Sequence, residues 1–360
     1  MLSLLNGPQT MGRGRAFWAG AAAVLAAALT YPAFADPYDV GNFGYFLIWI
    51  FMALGLCVMW GLCGMLSFGQ TFFFGIGGYA YGVLAIDLGN GPAATLAGLF
   101  GAVALAALAA ALLGYFMIYG RIGGVFFGIV TLSFTLALAF FLGQTAGPEW
   151  AVGKARLNGF NGMQGMSPLS VPWFGGPVIL EETALYYVLV VGLAATYLLL
   201  RVLANSRFGN VLVAIREDPQ RAELLGYDVR RYQLAVFVLG SALAGVSGVL
   251  YTSWGQFITP SSIGLPAAAM PIVWVAFSGR TDLTATLVGT FMLLLGFQTL
   301  TVYSQEATLI IIGALLAATI LFVPRGFVVG LGELASLRRG RRPARAPSPK
   351  DTLFPEDARP

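Results

Sequence analysis

The stretch "VAIREDPQRAELLGYDVRRYQL", residues 213–234, carries eight charged side chains in 22 positions, whereas the whole chain is 58% hydrophobic and only 10% charged. Soluble domains hold about 25% charged residues, so the sequence around this island is too poor in charge for a water-exposed fold. On both sides of it, apolar runs of about 20 residues follow one another, the length a helix needs to cross a hydrocarbon core of about 30 Å. They lie near residues 16–35, 44–66, 68–88, 93–118, 122–143, 183–203, 232–254, 266–279, 284–303 and 306–324. About ten spans predict an all-α, polytopic transmembrane helical bundle. The eighth run is short and holds Pro266 and Pro271, so a re-entrant or broken segment is expected there.

Charge sets the expected orientation. With a cytoplasmic N-terminus, all of the 20 Lys and Arg residues except Lys154 and Arg156 fall on the cytoplasmic side, as the positive-inside bias requires. The island is then cytoplasmic, and both termini are too. Residues 1–35 form an N-terminal segment and first span; Arg13, Arg15 and "AFA" at 33–35 ahead of Asp36 also fit a cleavable signal peptide. Residues 36–332 form the transmembrane domain, with an outer loop at 144–182 and a cytoplasmic segment at 204–231. Residues 333–360 are a basic, proline-rich tail, expected to be disordered beside the headgroups. The net charge of +4 thus reads as topology signal and contact with membrane lipid, and nucleic acid is not an expected partner.

Several chemistries are missing from the sequence. There is no histidine, and Cys57 and Cys63 point about 240° apart on a helix, which suits neither a disulfide nor a shared metal. No catalytic residues, metal site or cofactor are expected. The nearest string to a phosphate-binding loop, "GPEWAVGKA" at 147–155, has five residues between its glycines and ends in alanine. No carboxylate or lysine sits in mid-span to mark ion coupling. The energy for any transport must therefore come from another subunit.

The island reads as a short helix with both ends written in. Asp218 suits the N-cap, Pro219 the first helical position and Gly226 the left-handed turn that follows the last residue. About two turns result, roughly 10 Å long and too short to be stable alone in water. Ala222 and Leu225, three apart, predict an apolar knob, rimmed by Glu217, Arg221 and Glu223. Such a helix either lies on the inner membrane face or docks on a cytoplasmic partner. Elsewhere, Gly240, Ala244 and Gly248, like Gly75, Gly78 and Gly82, form stripes that predict close helix packing. Ser67, Gln70, Thr131 and Ser133 are the candidates to face a substrate pathway. Hydroxyls often bond their own helix, whereas the Gln70 amide cannot be satisfied locally.

Four segments, "LSFGQTFFFGIGGYAYG" (66–82), "RIGGVFFGIVTLSF" (121–134), "SRFGNVLVAIREDPQRAELLGYDVRRYQLAVFVLGSALAGVSGVLY" (206–251) and "LFVPRGFVVG" (321–330), resemble in order and spacing the M-type permease subunit of branched-chain amino-acid ABC importers. The resemblance implies a bacterial inner-membrane permease paired with a second permease subunit, two cytoplasmic ATPase subunits and a periplasmic substrate-binding protein. It also implies that Arg216, Glu217, Asp218, Arg221, Ala222, Glu223, Leu225 and Gly226 form the helix that couples to an ATPase. The strings "LNGFNGMQG" (157–165) and "FSGRTDLTATLVG" (277–289) depart from the family's usual pattern, so urea or short amides stand as alternative cargo. An ion-coupled secondary transporter is the alternative of a different class.

Overall fold

The computed structural model describes residues 5–330, apart from 90, 174–175 and 324–325; the basic tail at 333–360 lies outside the described residues. The apolar runs become helices α1 (Gly14–Thr30), α2 (Pro37–Leu56), α3 (Gln70–Leu88), α4 (Pro92–Tyr119), α5 (Gly124–Gly143) and α6 (Glu182–Ala204). The charged island supplies α7 (Arg207–Glu217) and α8 (Pro219–Leu224). Then follow α9 (Val229–Gly255), α10 (Leu265–Ser278), α11 (Leu283–Tyr303) and α12 (Gln305–Phe322). Among the described residues nine helical stretches are long and apolar enough to cross a membrane, so the chain is a multi-pass membrane protein. Where the eighth run was expected to break, α10 is only 14 residues long, is preceded by a 3-10 turn at Pro260–Ser262, and continues through Pro271.

The helix that is hydrophobic all round sits in the middle, as burial on every face demands. From Ile48 to Leu56 every residue of α2 is buried, and its end continues as a π-helical turn, Cys57–Leu62. Against it pack α6, α9, α10 and α11, while α3 and α4 pack on the other side of α9. At the other extreme, α1 has no buried residue. Cys57 and Cys63 are both buried and unbridged.

Small residues let the central backbones touch, as the stripes predict. A methyl group on Gly77 would lie 2.5 Å from the Gly245 carbonyl oxygen, and one on Gly55 2.6 Å from that of Gly240. Gly248 faces the Phe74 carbonyl and Gly78, whereas Gly75 faces Ile263 and Gly82 faces Met163. Each stripe thus serves several neighbours rather than one partner helix. Because the atoms met by Gly248 are backbone, they cannot rotate away. Gly248→Ile is therefore expected to cost about 1–3 kcal/mol or more by overpacking, seen as a lower melting temperature in detergent.

The loop at 144–182 is a folded cap. Short strands pair as β1 (Ala151–Val152) with β2 (Ala155–Arg156), and as β4 (Ser170–Trp173) with β5 (Gly176–Ile179). In addition, β3 (Met163–Gln164) pairs with β6 (Phe257–Ile258), next to the end of α9. The Tyr81 hydroxyl donates to the Ser167 carbonyl at 2.8 Å, and the Leu169 amide donates to Ser253 Oγ at 3.0 Å.

One fully buried charge holds the opposite end together. Arg201, in the last turn of α6, is 0% exposed. Its guanidinium donates to the carbonyls of Leu5 (2.7 Å), Met11 (3.1 Å) and Gly12, and to the Tyr197 hydroxyl (2.6 Å). The rings of Phe17 and Trp18 lie 4.7 and 5.2 Å from it, in cation–π range. Beside it, Asp282 caps α11 by accepting from the Ala285 amide at 2.8 Å and also accepts from the Met11 amide. Burial pushes the Asp282 carboxyl above its ordinary range, against the pull of those hydrogen bonds and of Arg201.

Candidate coupling and translocation site

The charged island folds as a pair of short helices at the ends of α6 and α9. Ser206 caps α7 by accepting from the Gly209 amide, and Val211, Leu212 and Ile215 form its buried face. The chain then turns at Asp218, whose carboxylate accepts from the amides of Gln220 (3.0 Å) and Arg221 (3.1 Å) to start α8. Pro219 opens the helix, needing no amide partner. Gly226, at φ +87°, closes it: its amide donates to the Glu223 carbonyl and that of Tyr227 to the Ala222 carbonyl, the Schellman pattern. All three local signals of the sequence are used as written.

The apolar knob is a different pair from the one expected. Ala222 is buried, 2% exposed, and packs inward, whereas Leu224 and Leu225 are 88% and 75% exposed. The reason is the length of α8: it stops at Leu224, and Leu225 already belongs to the cap, so the three-residue spacing no longer puts Ala222 and Leu225 on one face. Around the two leucines run Arg221, paired with Asp218 at 2.8 Å, and Glu223. Arg216 pairs with Glu217 at 2.7 Å and donates to the Gly61 carbonyl at 2.5 Å. That last bond ties the surface helices to the π-helical turn of the central helix. Behind α8 lies a cleft of about 480 Å³, lined among others by Leu66, Arg121, Arg216, Pro219, Glu223 and Arg230.

The four polar candidates do not form one site. Ser67 accepts from the Gly69 amide at 3.1 Å. Thr131 donates to the carbonyls of Phe127 (3.0 Å) and Gly128 (2.9 Å) and accepts from the Phe68 amide at 3.1 Å. These two hydroxyls meet around the Phe68–Gly69 turn and are used up in holding it. Ser133 is exposed on another face of α5 and bonds back to the Ile129 carbonyl at 2.9 Å. Gln70 is 1% exposed. Its Nε2 reaches Met59 Sδ at 3.2 Å, and its Oε1 is buried with no partner. Of the four, only Gln70 keeps a free polar atom.

Sequence reasoning missed Leu224 and Arg201. Arg201 carried one signal, a charge just inside the end of an apolar run.

The comparisons agree with this architecture. A profile of the family described as "Branched-chain amino acid transport system / permease component" matches residues 40–320. The chain is similar to the high-affinity branched-chain amino acid transport system permease protein LivM of Escherichia coli (strain K12), at 26% identity over 88% of this chain and 76% of that one. It is also similar to the corresponding LivH protein of that strain, at 26% identity over 43% of this chain and 49% of that one. A shorter match, 36% identical over 21% of this chain and 23% of the relative, is to the nucleoside ABC transporter permease protein NupC of Lactococcus lactis subsp. cremoris. No solved structure matches the chain. An apolar bundle with, among the described residues, one capped polar helix pair tied to its central span, and a family match over most of the chain's length lead to one assignment: this chain belongs to the permease components of branched-chain amino acid transport systems.

Proposed function

We propose that this permease forms half of the translocation pathway of a binding-protein-dependent ABC importer and works in the bacterial inner membrane, with α8 and both termini in the cytoplasm. Its partners are a second permease subunit, two cytoplasmic ATPase subunits that hydrolyse the ATP, and a periplasmic substrate-binding protein. The similarity to both LivM and LivH supports a related second permease. The names of these relatives favour branched-chain or related amino acids as cargo over urea or short amides. The observation that carries the reading is the build of α7 and α8: a capped, rigid element with two bare leucines at its tip and an arginine bonded to the central helix. Closure of the ATPases would push on that tip, and Arg216 would pass the displacement to α2. A two-state packing of the spans turns such a push into alternating access. The test is site-specific crosslinking from a cysteine at position 225 in the assembled importer. A crosslink to the ATPase subunit is expected; a crosslinker that reacts only with lipid would remove the docking role.

Gln70 is the pathway residue we retain. Gln70→Leu removes a buried acceptor that is costly to leave unpaired, about 1–3 kcal/mol, so the melting temperature should hold or rise. Uptake should nonetheless fall, with ATPase association unchanged. Normal uptake would return Gln70 to the packing residues.

A further inference from the structure

Four separate stretches of chain converge on the cleft behind α8: residues 63–66 after the π-helical turn, the turn between α4 and α5, the end of α7 with α8, and the first turn of α9. Its volume of about 480 Å³ falls within the range of small-molecule sites, about 300–1,000 Å³. Three of the stretches contribute an arginine, namely Arg121, Arg216 and Arg230. Among the described residues of the wall, Glu223 is the one carboxylate. The cleft is therefore basic.

Arg216 is already engaged, by Glu217 and by the Gly61 carbonyl. The other two are not. The ion pairs among the described residues are Arg216–Glu217, Arg221–Asp218 and Arg231–Asp228, so Glu223 neutralises neither Arg121 nor Arg230. The Arg230 guanidinium lies over the Tyr119 ring at 5.8 Å. Arg121 sits where α4 ends in a Schellman turn, with the Arg121 amide donating to the Ile118 carbonyl at 3.1 Å and the Ile122 amide to the Met117 carbonyl at 2.9 Å. At φ +58° this is the left-handed position that glycine fills without cost. An arginine there carries backbone strain, and strain of that kind collects at binding sites.

In the same wall α5 begins, with no side-chain cap at Gly123. A methyl group on Gly123 or Gly124 would meet nothing within 4 Å, so the start of α5 is uncovered, and a bare helix N-terminus attracts an anion. Immediately beside it the surface turns apolar: Val125 and Phe126 on the first turn of α5, and Tyr115 and Phe116 near the end of α4, are exposed. A basic cleft continuous with an apolar, lipid-facing surface suits a molecule with an anionic head and an apolar body. A soluble partner would leave that apolar surface bare.

We propose that the cleft binds an anionic phospholipid, its phosphate held by Arg121, Arg230 and the start of α5, its acyl chains lying along the exposed face of α4 and α5. Arginine suits a phosphate because its planar fork can donate two parallel hydrogen bonds, and basic pockets between spans recognise anionic headgroups in this way. Pro219 and Glu223 of α8 stand in the same wall, so a lipid seated there would brace the coupling helix from behind. The binding itself depends neither on the cargo nor on the coupling role.

The experiment is native mass spectrometry of the complete importer, delipidated in detergent and titrated with phosphatidylglycerol or phosphatidylcholine. The wild type is expected to bind phosphatidylglycerol at a saturable site, about tenfold or more tightly than phosphatidylcholine. Arg230→Gln should weaken that binding about fivefold, the worth of one arginine beside anionic lipid. Arg121→Gly should weaken it as much while the melting temperature without lipid holds or rises, because glycine relieves the left-handed backbone. That combination separates lost binding from lost folding. Equal phosphatidylglycerol binding by the wild type and the double variant would overturn the site, and so would a wild type that binds both lipids alike. Millimolar inorganic phosphate that stabilises the delipidated wild type as much as phosphatidylglycerol does would assign the arginines to a free anion. Loss of ATPase co-purification with unchanged lipid binding would assign them to a protein partner. Either result overturns the lipid site and leaves the permease reading intact.

Discussion

Leu225→Asp is expected to abolish uptake while the chain still folds and inserts, and Leu224→Asp to do the same. Both side chains are almost bare, and exposed substitutions usually change stability by less than about 0.5 kcal/mol. The folded permease therefore has little to lose. The complex with the ATPase subunits proposed above would have much more. Seating a leucine in an apolar cleft contributes about 1.5–3 kcal/mol, and an aspartate in its place brings a desolvation cost that nothing in such a cleft offsets. Together these amount to at least a hundredfold loss of coupling, since about 1.4 kcal/mol corresponds to a factor of ten. Glu217→Lys should act on the same handle from its other end. It replaces the Arg216–Glu217 pair with two like charges and draws Arg216 away from the Gly61 carbonyl. The check is uptake measured beside co-purification of the ATPase subunits. The leucine variants should lose both, and unchanged uptake in either would remove α8 from the coupling path.

What was legible in the sequence was what is decided locally. The spans could be read because each helix must satisfy its own backbone within the membrane, so a run of apolar residues specifies the element without its neighbours. The ends of α8 could be read for the same reason: Asp218, Pro219 and Gly226 act on amides and carbonyls within four positions of themselves. The orientation of side chains was much less legible. Ser133 and Thr131 are two residues apart in a helix that is apolar all round, and no polar stripe marks which of its faces is inward. The Ala222–Leu225 pairing failed because the helix ends at Leu224, so Leu225 falls in its cap rather than on the face that Ala222 occupies. Arg201 was the hardest to place, since its acceptors are backbone atoms some 190 residues away.

That separation makes Arg201→Ala the most destabilising single change expected in the chain. The guanidinium binds carbonyls of Leu5, Met11 and Gly12, so this side chain, together with Asp282 on the Met11 amide, holds residues 5–12 to the ends of α6 and α11. The Gln9 amide to Asn205 Oδ1 (3.0 Å) and Asn205 Nδ2 to Thr10 (3.1 Å) assist. Breaking a buried charged network typically costs about 3–5 kcal/mol, and the melting temperature in detergent should fall by several degrees. Arg201→Lys should give only partial rescue, because an ammonium is a compact point charge and cannot reproduce the planar fork that reaches three carbonyls at once. Deleting residues 2–12 should match Arg201→Ala, since it leaves the charge buried without its acceptors. Combining the two should add little, the signature of partners in one network. The same contacts bear on the first span: cleavage between Ala35 and Asp36 would remove every carbonyl that Arg201 binds. The intact mass of the protein purified from membranes is therefore expected to include residues 5–35, and a mass starting at Asp36 together with an unchanged melting temperature for Arg201→Ala would overturn the clamp.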